Sequence, residues 1–178
     1  MGSRFRFDRV AAAGVYDGVL RSAILRYKFH RDEGVRPFLV EVAARAARRS
    51  WIRDHIAGAD ALVPVPQHWL KALWRGWNPV GELAGSLASG LRSRPLPVLP
   101  VLRKTRWTTP QVDLSGIVRR RNLRRAFAVR PGEKLPRRVV LFDDVLTTGT
   151  TASECARALK RAGVETVVVV ALARSLAE

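Results

Sequence analysis

One cysteine, Cys155, stands in a chain of 178 residues, which leaves no internal disulfide and no cysteine-built zinc site. The three histidines, His30, His55 and His68, lie far apart and show no metal-ligand spacing. Long apolar runs are missing as well. The longest, Val167 to Ala173, falls far short of the roughly 20 residues a membrane helix needs, and neither end carries an apolar signal core. Acids are scarce: 15 Asp+Glu against 32 Lys+Arg give a net charge of +17. These absences point to a soluble, reduced, cytoplasmic protein without membrane insertion. The charge imbalance suits a polyanionic partner, either nucleic acid or a multiply phosphorylated small molecule.

What is present is ordinary for a packed domain: 47% hydrophobic and 26% charged residues. Repeats, low-complexity linkers and composition shifts are lacking, so residues 1–178 read as a single domain large enough for a substantial core. Apolar periodicity predicts strands at 10–16, 61–65, 98–102, 126–129, 138–143 and 166–173. It predicts helices beginning near residue 20 and spanning 35–52, 79–91 and 150–162. In the last helix Ala152, Cys155, Ala156 and Leu159 share one face, which makes Cys155 a core residue. Repeated strand–helix alternation predicts an α/β fold, a parallel sheet flanked by helices, with ligands at the carboxyl ends of its strands.

The most informative stretch is VVLFDDVLTTGTT, Val139 to Thr151. An apolar strand ends in two adjacent carboxylates, Asp143 and Asp144. A small polar loop follows, Thr147-Thr148-Gly149-Thr150-Thr151, and then a helix begins. Backbone N–H groups at such a loop and helix start point at an anion, and the helix dipole favours its charge. Gly149 allows a positive φ and close approach of backbone to a phosphate. The carboxylates can accept from two ribose hydroxyls or hold a hydrated Mg²⁺. A strand-to-helix turn capped by Thr would explain one hydroxyl and at most one acid. It leaves two carboxylates at the end of a buried strand without a purpose, although unpaired buried acids are costly.

Two further segments carry cations. In DALVPVPQHWLKALWRGWN, Asp60 to Asn78, a strand ends at Val65-Pro66 and a helical pattern brings Lys71 and Arg75. Such a strand end could supply donors to a pyrophosphate, or its cations could simply face solvent. Residues 101–131 hold nine Arg or Lys and one acid, Asp113. This run suits a solvated or nucleic-acid-facing surface, or a mobile lid over 103–125 that closes on bound pyrophosphate.

The stretch around Asp143-Asp144 closely resembles the phosphoribosyl pyrophosphate (PRPP) signature of type I phosphoribosyltransferases. With Pro64-Val65-Pro66, Arg75-Gly76-Trp77-Asn78, Arg103 to Arg106, Thr108, Gln111, Leu114, Arg121-Asn122 and Ala126-Phe127 in order, the chain resembles the ComF (GntX) family nearly end to end. It departs at Pro79, where the family usually has Gln, and it lacks the four-cysteine zinc ribbon with which members commonly begin. The resemblance implies a type I phosphoribosyltransferase fold. It implies that the 5′-phosphate of PRPP lies on Thr147, Thr148, Gly149, Thr150 and Thr151, with the ribose hydroxyls on Asp143 and Asp144. Val65, Pro66, Lys71 and Arg75 would serve the pyrophosphate, with Arg103, Lys104 and Arg106 neutralising it as it leaves. Mg²⁺ would arrive with PRPP, water-mediated to the acids at most, and no zinc is expected. The acceptor would be a nitrogen nucleophile such as a nucleobase. Three functions follow: a phosphoribosyltransferase, a PRPP-binding protein of DNA uptake with little turnover, and a single-stranded-DNA-binding accessory to DNA-uptake proteins.

Overall fold

The computed structural model describes residues 5–66, 77–90, 95–105, 123 and 125–176. Four strands, β1 (Arg9–Val15), β2 (Ala61–Pro64), β5 (Arg138–Leu146) and β6 (Thr166–Arg174), form one sheet in the order β1-β6-β5-β2. All three pairings are parallel, so every strand carries its carboxyl end to the same edge. β3 (Leu102–Lys104) and β4 (Phe127–Val129) form a separate antiparallel ribbon.

The strands read as unbroken Val/Leu/Ala runs because both faces are covered. One face, through Leu62, Val140, Phe142, Val168 and Val170, packs against α1 (Gly18–His30), α2 (Arg36–Ala47), α3 (Ser50–Ala57) and α4 (Pro79–Gly90). The other, through Val63, Val139, Leu141, Val167 and Val169, packs against α5 (Thr150–Arg161) and the β3–β4 ribbon. Cys155 is fully buried on that second face, as its helical spacing requires. Among the described residues no helix is long and apolar enough to cross a membrane.

Three boundaries differ by more than two residues from those the periodicity predicts. The helix expected over 35–52 is broken, because Arg49 is extended with φ −63° and ψ 139°. An unbroken helix would carry Ile52 about 140° around from Ala47. The break lets Ile52 and Ile56 share the core with Leu39, Ala43 and Ala47. The strand expected at 98–102 is a single parallel bridge from Val98 to Leu62, with β3 beginning only at Leu102. The motif strand runs past 143 to Leu146, which places both acids inside β5. Pro79, the departure from the family pattern, opens α4, where its missing N–H costs nothing. Asn78 caps the same turn, its Oδ1 accepting from Gly81 N–H at 3.1 Å.

Candidate phosphoribosyl site

The two acids occupy the stretch of β5 beyond its pairing with β2, which spans Val139 to Phe142. Successive side chains on a strand point to opposite faces, and the pair divides accordingly. Asp144 turns to the four-helix face, into a pocket lined by Ile24, Tyr27, Lys28, Val80, Leu83 and Leu172. Asp143 turns toward α5, where its charge reaches Cys155. The pair therefore presents one carboxyl to each layer of the molecule.

Their electrostatics differ to match. Burial, and after it the charge of Asp144, pushes the Asp143 carboxyl well above the usual carboxylate range. Asp143 Oδ1 accepts from Asp144 N–H at 2.9 Å. Asp144 is held at both oxygens: Oδ1 accepts from Val145 N–H at 2.8 Å, and Oδ2 meets the Lys28 ammonium at 2.5 Å. Burial also pushes the Cys155 thiol well up, with Asp143 adding to the shift, so this cysteine is inert.

The loop after β5 is compact. Gly149 adopts a left-handed φ of 70° and stands immediately before α5 with no side chain to cap it. The Thr148 and Thr150 hydroxyls lie 2.8 Å apart, and Thr150 N–H donates to Thr148 Oγ1 at 3.4 Å. Thr147 is exposed, Thr148 and Thr151 are half-buried, and Thr150 is buried. The first N–H groups of α5 thus face the loop with the positive end of the helix dipole behind them. Lys160 and Arg161 sit in its last turn, where cations complement the dipole.

Val65 and Pro66 reach the same edge, because Val65 N–H donates to Phe142 O at 2.8 Å, one residue before Asp143. That bond uses the only N–H the pair possesses, since Pro has none, and the Val65 side chain is buried. Neither therefore offers a free N–H to an anion. Lys71, Arg75 and Arg106 lie outside the described residues, as does 106–122 of the expected lid. The described ends of that lid belong to the ribbon: Arg103 pairs with Ala128 and Lys104 with Phe127, and Thr105 N–H bonds Ala126 O at 2.8 Å. Lys104 lies over the Phe127 ring at 5.9 Å, and its charge reaches Cys155 on the Asp143 side of the sheet. Arg103, its neighbour on the strand, is exposed. Glu154 of α5 accepts from Arg125 N–H at 2.7 Å and pairs with Arg157, fastening the ribbon to the helix.

Lys28 escaped the sequence reading although a signal was present. It follows Leu20 and Ile24 at steps of four along α1, so it falls on the sheet-facing stripe of that helix. Tyr27 beside it is 1% exposed and meets the Trp77 ring edge-on at 4.9 Å. Burial pushes its phenol up to about 12, which keeps it neutral and structural.

Competence protein F of Haemophilus influenzae is 33% identical over 172 residues, covering 95% of this chain and 74% of its own length. The chain belongs to the ComF family. DNA utilization protein YhgH of Escherichia coli O6:H1 is 38% identical to this ComF protein over 174 residues, 96% of this chain and 74% of the relative. No family model matches the chain. Among solved structures, the allosteric regulatory enzyme of purine biosynthesis superposes with a TM-score of 0.50 at 20% identity, over 83% of this chain and 29% of that one. The architecture is that of a type I phosphoribosyltransferase, the fold the ComF resemblance implies.

Proposed function

We propose that the chain binds PRPP and transfers its 5-phosphoribosyl group to a nitrogen nucleophile, such as a nucleobase. One arrangement supports this above all others: an acid pair on β5 followed within a few residues by a left-handed glycine, a cluster of hydroxyls and the open N-terminus of α5. In this reading Thr147, Thr148, Thr150 and Thr151, with the Gly149 backbone, cradle the 5′-phosphate. Asp143 and Asp144 accept from the ribose hydroxyls. Lys104, with Lys71, Arg75, Arg103 and Arg106, neutralises the pyrophosphate.

Magnesium would come with PRPP, where it lowers the charge on the departing pyrophosphate. The donor set here does not suit a metal bound by the protein alone. Among the described residues no group of three or more His, Cys, Asp or Glu could hold one, and both oxygens of Asp144 are already engaged. At C1′ the bond to pyrophosphate breaks as the bond to nitrogen forms. The oxocarbenium character that develops is stabilised by the nearby carboxyl groups, and no protein nucleophile is required. The cytoplasm, where PRPP and nucleobases are found, is the expected compartment. The names of the relatives, competence protein F and DNA utilization protein, support a role in DNA uptake and use.

Isothermal titration with PRPP and Mg²⁺ tests binding, and absence of heat with the wild type sinks the reading. Asp143→Asn/Asp144→Asn is expected to abolish the signal. Pyrophosphate release across a panel of bases then separates a transferase from a PRPP-sensing protein. The net charge of +17 favours a second reading, a single-stranded-DNA accessory. This reading predicts DNA binding with a steep salt slope, and a flat slope removes it.

A further inference from the structure

Lys28 comes from α1, more than a hundred residues before the acid pair, and the fold delivers its ammonium to Asp144 Oδ2 at 2.5 Å. Both partners are largely buried, with side-chain exposures of 28% for Lys28 and 12% for Asp144. A half-buried lysine aimed at one carboxylate of the acid pair needs a support, and α1 has one. Tyr27 packs edge-on against Trp77 at 4.9 Å, and the Arg31 guanidinium lies over the same indole at 5.5 Å. Arg31 itself closes α1 in a left-handed conformation, φ 52°, its N–H bonded to Arg26 O and Tyr27 O. This column fixes the rotation of α1 about its axis, and the residue after Tyr27 then points at the sheet edge.

The chemistry of the pairing is specific. Val145 N–H and the Lys28 ammonium hold one oxygen each and so fix the plane of the Asp144 carboxylate. A carboxylate oxygen keeps lone-pair capacity beyond one bond, so a hydroxyl donor can still be accepted. A divalent cation cannot take the place of the ammonium without displacing it, and like charges at that distance repel. Asp143 is the other acid nearby, and Lys28 also bears on it electrostatically.

We propose that Lys28 is a positioning residue whose ammonium is the built-in counter-cation of Asp144, aiming this carboxylate at a sugar diol and excluding divalent metal from it until a diphosphate ligand brings the metal. The proposal rests on the phosphoribosyl reading for the identity of the ligand, but its first test does not.

That test is Mn²⁺ binding to the ligand-free protein, followed by electron paramagnetic resonance, for wild type, Lys28→Met, Lys28→Arg and Lys28→Met/Asp144→Asn. Lys28→Met leaves Asp144 without its counter-charge and is expected to acquire a Mn²⁺ site. Wild type and Lys28→Arg should show none at millimolar metal, and the double variant should lose the acquired site. Lys28→Gln, which keeps a hydrogen-bond donor but no charge, gives the same readout should the Met variant fail to fold. Metal binding by wild type, no gain in the neutral variants, or a gain that survives Asp144→Asn overturns the proposal. PRPP titration of the same set in Mg²⁺ is the second arm, with affinity expected to fall about tenfold in Lys28→Met and to recover in Lys28→Arg. If wild type binds no PRPP while the Mn²⁺ pattern holds, the phosphoribosyl reading falls and the counter-cation role of Lys28 stands.

Discussion

Phe5 lies against Gly149: a Cβ placed on that glycine would stand 3.1 Å from the aromatic ring. The contact belongs to a short N-terminal strap. Phe5 stacks on Phe7 at 5.0 Å, and Arg6 N–H donates to Ser153 Oγ at 3.1 Å. Asp8 accepts from Val167 N–H at 2.8 Å and pairs with Lys160 at 2.7 Å. The glycine is thus required twice, by its left-handed φ of 70° and by the ring beside it. Gly149→Ala is expected to lower unfolding free energy by about 1–3 kcal/mol. Part of this loss should vanish in a Phe5→Ala background, with a coupling of about 0.5 kcal/mol or more. Urea unfolding of the four-member cycle measures it, and strict additivity would show that the ring does not constrain the loop.

Asp143 sets a pH dependence. Its raised pKa means that the folded state retains a proton the unfolded chain releases above about pH 4. Stability therefore falls as pH rises from that point until the folded-state carboxyl has ionised. Asp143→Asn keeps the acceptor for Asp144 N–H and removes the ionisation. It is expected to be more stable than the wild type at neutral pH and to flatten the stability profile above about pH 4, read from thermal melts across pH. A parallel profile for the two proteins would contradict the assignment.

The hydroxyl pair Thr148 and Thr150 offers a direct probe of the proposed phosphate loop. Thr148→Val removes one member of the 2.8 Å contact while keeping the shape of the side chain. PRPP or ribose 5-phosphate affinity should drop about tenfold, with the melting temperature little changed. Unaltered affinity by titration would move the phosphate away from this hydroxyl.

Trp77 carries structural weight beyond its place in a motif. Trp77→Ala removes the edge-on contact with Tyr27 and the cation–π partner of Arg31. The expected cost is about 2 kcal/mol, below the range for a fully buried aromatic because the indole is only half-buried. A lowered urea midpoint at constant slope is the expected observation. A loss under about 0.5 kcal/mol would mean that α1 is held by other contacts.

Much of the architecture was legible because parallel strands covered on both faces leave plain apolar runs, as in 139–142 and 167–173, and α5 carries its stripe in Ala152, Cys155, Ala156 and Leu159. The boundaries read less well. Val98 and the Arg48-Arg49 break depend on what lies alongside them, and local pattern carries no record of a neighbouring strand or of where Ile52 must point. Lys28 was hidden for a related reason. A lysine on a helix reads as solvated until the fold supplies a buried carboxylate opposite.

The sequence by itself determined the order strand, acid pair, small polar loop and helix start over 139–151, because these features lie within one strand–loop–helix unit, where bonding partners are a few residues apart and spacing is geometry. Only the tertiary structure decided how the acid pair is divided. It set Asp143 against α5 and Asp144 against Lys28, and it brought Phe5 to Gly149. The Lys28–Asp144 and Phe5–Gly149 relationships join segments more than a hundred residues apart, and the energies of all three come from burial and charge pairing that exist only once the sheet has closed its layers around them.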